Sequence, residues 1–204
     1  MSEDNFLNIA LNKLGRIFIL NLFFIVTCIP IFTIGASLTA LYQSTLKMVK
    51  NTDEAVLKVY FKAFKENFKQ STLTWLIFIL MSVIIVVNVI FLMRIDRGII
   101  FTVLLYSNII LGFALIIFLV YIFPVIATFD NTLGNLFKNS LIFGVANFHY
   151  TIVILIINFF PVSLTYVDIT LLPLYAFCWF FFGFSTIAYL CSFIFYKIFV
   201  PYIK

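Results

Sequence analysis

Long, nearly uninterrupted apolar blocks are the feature that most restricts how this chain can fold. A helix needs about 20 mostly apolar residues to cross the hydrocarbon core of a bilayer, and several blocks of the 204-residue sequence reach that length. Apolar residues make up 64% of the chain, charged residues only 10%, and the mean hydropathy is +1.18. A water-soluble domain of this size would leave much of that apolar surface in contact with water. The sequence therefore predicts an integral membrane protein.

Five of these blocks are predicted to cross the membrane. In lipid, only helices and closed barrels satisfy all backbone hydrogen bonds, and the strict alternation of a barrel strand is absent. The expected fold class is therefore all-α, a polytopic transmembrane helical bundle that forms a single domain over residues 1–204. The predicted spans are about 14–32, 72–93, 99–123, 148–167 and 171–196.

Three other segments, 34–49, 54–70 and 130–147, are predicted to be amphipathic helices in the cytoplasmic interface. The first of them is short for a span and rich in Ser and Thr, so we expect it to present a polar face. A rival topology lets 34–49 cross as a sixth span with the N-terminus inside. We rank that topology second, because the segment is short for a span and rich in polar residues.

The lysine-rich loop also sets the predicted orientation. Placing it in the cytoplasm puts the N-terminus outside and the C-terminus inside the cell membrane. The Asp168 turn, Arg94 and Arg97 then face outside, as do Lys13 and Arg16 near the N-terminus. Nine of the 13 basic residues become cytoplasmic. The nine are Lys47, Lys50, Lys58, Lys62, Lys65, Lys69, Lys138, Lys197 and Lys204.

The segment 54–70 is the most informative local pattern and supplies the candidate site. One helical stripe is apolar, a second stripe displaced by one residue is basic, and further apolar residues widen the apolar face on its other side. This pattern is typical of a basic helix that lies in the membrane interface. Two interpretations stay open: an anchor that fixes topology, or a docking surface for a partner. The apolar stripe is Leu57, Phe61, Phe64 and Phe68, the basic stripe is Lys58, Lys62, Lys65 and Lys69, and the widening residues are Val56, Tyr60 and Ala63.

Polar residues inside the predicted spans carry no charge. Side chains of this kind most often join helices through hydrogen bonds, and we expect that role here. Motifs for nucleophilic catalysis, metal binding or phosphate binding are absent from the sequence. We therefore expect no enzyme activity, no cofactor and no metal site, and we attribute the net charge of +5 to topology, not to nucleic-acid binding. The polar residues are Asn21, Thr27, Asn88, Ser107, Asn108, Asn158, Ser185 and Thr186.

The first 75 residues resemble the YesL-like family of bacterial membrane proteins, a domain-of-unknown-function family. Beyond them, the resemblance consists of hydrophobic spacing with Phe123-Pro124 and Lys138-Asn139. The chain departs from true ABC permeases, because no clear coupling-loop signature lies between Asp130 and Pro161. The residues that carry the resemblance are Asn21, Cys28 to Pro30, Thr33 to Ala36, Ala40 to Tyr42, and the segment from Phe61 to Gln70.

The resemblance implies an integral membrane protein encoded near carbohydrate ABC uptake systems, and it supplies no catalytic residues. We therefore expect a non-enzymatic accessory protein whose partners are the lipid bilayer and ABC permease subunits. The alternative is a small oligomeric transporter or channel for a small solute, so homo-oligomerisation stays open.

Overall fold

The computed structural model describes residues 3–52, 54–92, 94 and 98–203. The described part of the chain holds eight α-helices and no strand, which confirms the all-α fold class. Met93, at the end of the predicted second span, and the basic residues Arg97 and Lys204 lie outside the described residues. The helices are α1 (Glu3–Cys28), α2 (Ile34–Val49), α3 (Val56–Leu92), α4 (Ile99–Thr128), α5 (Leu133–Ala146), α6 (Phe148–Val167), α7 (Leu172–Cys178) and α8 (Phe184–Phe199).

Five helical stretches in the described residues are long and apolar enough to cross a membrane, as predicted, and they make the chain a multi-pass membrane protein. Their ends differ from the predicted ones. The first ends at Cys28 and not near residue 32, because Pro30 restricts the residue before it to extended backbone. The third continues past the predicted end through Pro124 to Thr128. The five stretches are Leu11–Cys28, Val56–Leu92, Ile99–Thr128, Phe148–Val167 and Ile169–Tyr202.

The last of these stretches contains a wide turn. α7 runs through a π-helical turn, Trp179–Gly183, directly into α8. A Cβ atom at Gly183 would lie only 2.5 Å from the Trp179 ring, so the absence of a side chain lets that ring lie over the turn.

α3 is one continuous helix, whereas the sequence predicts two separate elements, 54–70 and 72–93. No Gly or Pro interrupts its 37 residues. At 1.5 Å per residue the helix is about 55 Å long, whereas the hydrocarbon core of a bilayer is about 30 Å thick. The helix is therefore long enough for its basic first half to extend beyond the hydrocarbon.

α2 corrects the prediction for segment 34–49, since it is a central helix and not an exposed polar-faced one. Eleven of its 16 residues are buried, among them Ser37, Thr39, Ser44 and Thr45. Each of these four hydroxyls donates to the carbonyl four residues earlier in the chain. Small hydroxyl side chains satisfied in this way permit close helix packing, which is why a polar sequence becomes an interior helix. The rival sixth span is not supported either, because 16 residues give a length of only about 24 Å.

The packed core gathers where α2 meets the second halves of α4 and α8. Tyr121, Phe195 and Phe199 are at most 1% exposed, and the rings of Tyr121 and Phe195 lie 5.3 Å apart. α5 packs on α4 through Gly144, where a Cβ atom would overlap Ile117. By contrast, most large apolar side chains in 76–91 of α3 and 99–113 of α4 are exposed, as expected for surfaces that face lipid.

Candidate docking surface

The four lysines of the predicted basic stripe lie together on the outer surface of α3, and we call them the basic ridge. All four are exposed, and their spacing of three or four residues places them on one face of the helix. The basic ridge consists of Lys58, Lys62, Lys65 and Lys69.

The basic ridge keeps most of its positive charge uncompensated. Lys62 Nζ lies 3.9 Å from Glu66 Oε1, and both side chains are more than half exposed. An exposed pair of this kind contributes little. Among the described residues, Lys58, Lys65 and Lys69 form no ion pair. The ridge can therefore attract an anionic surface.

The predicted phenylalanine stripe lies between the basic ridge and the buried face of α3. That buried face contains Val59, Tyr60 and Ala63, of which Tyr60 and Ala63 are completely enclosed. Phe61 is 40% exposed, and its ring packs edge-on against Phe23 of α1 at 5.2 Å. The stripe is thus partly available beside the lysines and partly engaged with the bundle.

Polar contacts hold α3 against its neighbours near the ridge. The Tyr60 hydroxyl lies 2.6 Å from Thr27 Oγ1 of α1. Thr39 Oγ1 of α2 lies 2.8 Å from Ser71 Oγ. Gly35 brings α2 so close that a Cβ atom there would lie 2.8 Å from Trp75 Cβ, and nearer still to a backbone carbonyl of α3. The ridge is therefore presented on a fixed helix.

The loop before α3 is also tied down. The turn after α2 contains a left-handed residue, Asn51 with φ of 52°. Its N–H donates to Met48 O, and the N–H of Thr52 donates to Lys47 O. This pair of bonds is the Schellman arrangement that closes many helices. Lys47 Nζ donates to both carboxylate oxygens of Glu54, at 2.9 and 2.8 Å. This hydrogen bond, assisted by the charges of Lys47, Lys62 and Lys58, lowers the pKa of Glu54 below its usual value.

Other lysines lie at the same end of the bundle. Lys50 Nζ lies 5.7 Å from the ring centre of Tyr196, and Lys197 Nζ lies 5.4 Å from that of Tyr150. These contacts bring the end of α2, the end of α8 and the start of α6 together. The structure therefore groups lysines that the positive-inside rule assigns to one side, while the side of the membrane that they face stays a prediction.

Asn21 is the most fully bonded polar side chain in the spans. It is completely buried. Its Nδ2 donates to the carbonyls of Trp179 and Phe180 at 3.0 and 2.7 Å. Its Oδ1 accepts from the backbone N–H and the hydroxyl of Ser185 at 3.0 and 2.9 Å. One amide thus bonds to two carbonyls of the π-helical turn and to the N–H and hydroxyl of Ser185 just after it.

The expected role of uncharged polar residues as interhelical ties is confirmed at four positions. Asn21 joins Ser185, Thr27 joins Tyr60, and Asn158 donates to Cys191 Sγ at 3.3 Å. Ser107 and Asn108 instead donate to carbonyls of their own helix. In the described part of the chain, no group of three or more His, Cys, Asp and Glu side chains is placed to hold a metal ion.

Comparison with known proteins extends over only part of the chain. The family described as "Protein of unknown function, DUF624" matches residues 17–89, just over a third of the chain. The matched segment begins within α1, includes all of α2 and ends near the end of α3, so it contains Asn21 and the basic ridge. No curated protein and no solved structure matches the chain.

Proposed function

We propose that this membrane protein is a non-enzymatic accessory subunit that binds an acidic surface of a partner through the basic ridge. The observation that supports this most directly is the placement of four exposed lysines on a helix whose inner face is completely buried at Tyr60 and Ala63. The helix is longer than the hydrocarbon core by about 25 Å, so the ridge can reach water beside the membrane.

The same ridge also meets the membrane surface. A Lys close to an anionic leaflet contributes about 1 kcal/mol, and four of them contribute about 4 kcal/mol. Charged groups at the edge of an interface mainly accelerate association and fix orientation. We propose that lipid attraction orients the ridge and that an acidic partner replaces part of the lipid.

The proposed partner is the permease of a carbohydrate ABC uptake system. This choice comes from the resemblance of the first 75 residues to the YesL-like family. The match to the family of unknown function over 17–89 includes the segment that carries the ridge.

In-cell photocrosslinking from Lys62 tests the proposal, with the same crosslinker at Arg94 as the control on an exposed residue near the turn after α3. We expect an ABC permease to be recovered from position 62 and not from position 94. With the crosslinker at position 62, changing the other three ridge lysines to Gln should abolish the crosslink, whereas changing them to Arg should preserve it, because only the first change removes the charge.

Recovery of lipid alone from position 62 would reduce the ridge to an anchor and contradict the proposal. Recovery of this protein alone, together with solute flux in liposomes that contain only this protein, would favour a small oligomeric transporter or channel instead.

A further inference from the structure

A large cavity separates α6 from the helix formed by α7, the π-helical turn and α8. Its volume is about 510 Å³, within the range of about 300–1,000 Å³ that is typical of ligand pockets. No charged residue lines it. Ile157, Phe160 and Leu164 form part of one wall, and Trp179, Phe182 and Leu190 form part of the other.

The chemistry of the walls identifies the kind of occupant. The cavity is open on one side, and its apolar walls favour an apolar occupant over water. Both walls belong to membrane-spanning stretches, Phe148–Val167 and Ile169–Tyr202, where the surrounding solvent is hydrocarbon. We propose that this cavity is a binding site for one acyl chain of a membrane lipid.

The structure builds this cavity through specific contacts. The π-helical turn places the Trp179 ring over Gly183, and the four hydrogen bonds of Asn21 hold the turn in this form. The Trp179 indole N–H donates to Thr165 Oγ1 of α6 at 3.0 Å. This bond joins the two walls and fixes the ring at the edge of the cavity.

Trp179 also separates the acyl-chain cavity from a deeper one. The second cavity has a volume of about 200 Å³ and extends to Phe24, Leu41 and Tyr42 in α1 and α2. Trp179 lines both cavities. A chain bound in the first cavity would therefore contact the indole ring.

This position makes Trp179 a natural reporter. The chain contains two Trp residues, so Trp75→Phe leaves Trp179 as the single indole, which can be excited selectively over tyrosine. We would purify this variant in mild detergent and titrate it with phosphatidylglycerol whose acyl chains carry bromine, which quenches indole fluorescence on contact. A bound chain predicts quenching that saturates and is reversed by an excess of the unbrominated lipid.

Filling the cavity supplies the second arm of the test. Thr186→Phe places a ring in the cavity and should weaken the apparent affinity about tenfold, the loss expected when about two methylene groups are excluded. Ile157→Phe fills it from the other wall. Thr102→Phe, on an exposed position of α4, is the matched control and should leave the apparent affinity unchanged.

Quenching that rises in proportion to the brominated lipid without saturating would overturn the site, since Trp179 would then sense only bulk lipid. The site would also be ruled out if Thr186→Phe and Ile157→Phe both fold and bind the lipid as tightly as Thr102→Phe does. Neither result bears on the basic ridge, whose lysines lie outside the cavity.

Discussion

Replacing Asn21 with Ala removes the amide that bonds α1 to the π-helical turn and to Ser185. The amide donates to the carbonyls of Trp179 and Phe180 and accepts two bonds from Ser185. All four bonds cross from α1 to the last span, and Asn21 itself is completely buried. No water is present at this depth to replace them.

The expected decrease in the free energy of unfolding follows from the number of hydrogen bonds that are lost. Interhelical hydrogen bonds in membrane proteins contribute about 0.6 kcal/mol each on average, with a maximum near 1.7. Four of them contribute about 2–4 kcal/mol, because some of the groups left behind are backbone groups that have no other partner in lipid. We therefore expect Asn21→Ala to lower the free energy of unfolding by about 2–4 kcal/mol.

Unfolding in mixed micelles with increasing SDS, followed by circular dichroism, measures this difference. Asn158→Ala is the matched control, because Asn158 makes a single interhelical bond, to Cys191 Sγ. We expect that control to cost about 0.6 kcal/mol. If Asn21→Ala costs no more than Asn158→Ala, the turn satisfies its own backbone groups and the reasoning is wrong.

Three further changes test other parts of the structure. Gly35→Ala should cost about 1–3 kcal/mol in the same unfolding assay, because a Cβ atom there overlaps α3, whereas Gly134→Ala, which meets open space, should be neutral or slightly stabilising. Asn51→Val should lower stability by about 1 kcal/mol or more relative to Asn51→Gly, since a branched side chain disfavours the left-handed backbone with φ of 52°. Lys47→Gln should raise the pKa of Glu54 towards its usual value, as measured by NMR titration of its carboxyl carbon. Because the folded-state pKa of Glu54 is lowered, ionised Glu54 contributes to stability above its unfolded-state pKa. This contribution disappears as the pH falls through the folded-state pKa. In Lys47→Gln, the stability should therefore depend much less on pH in this range.

Block length was sufficient to predict the class of this protein and the number of spans. The length of an apolar block can be compared directly with the thickness of the hydrocarbon core that a helix must cross. The basic ridge was also predictable, because helical spacing within one segment depends on no distant contact. The structure leaves those four lysines exposed, as the pattern indicates.

The role of α2 could not be read from its composition. A run of Ser and Thr predicts a water-facing surface only if the hydroxyls have no hydrogen-bond partner within the protein. In α2 they bond to carbonyls of their own helix, and two of them also bond to Ser71 and Ser192 of neighbouring helices. The bond from Asn21 to Trp179 joins residues 158 positions apart, so no local pattern indicates it. Sequence alone identified Asn21 as a polar residue in a span but not its partner.

Burial is unevenly distributed, so the two proposed sites have different surroundings. The basic ridge lies on the part of α3 whose inner face, at Tyr60 and Ala63, is fully enclosed by protein. The cavity lies beside α6, in which only Thr151 and Ile154 are buried. Apolar packing alone adds little to helix association in lipid, since lipid tails are as apolar as the side chains they replace, so the bonds from Thr165 and Asn158 hold α6 to the last span. Docking of a protein partner requires a fixed polar surface, which the enclosed inner face of α3 supports, whereas binding of an acyl chain requires an apolar cleft beside lipid, which these bonds leave open along α6.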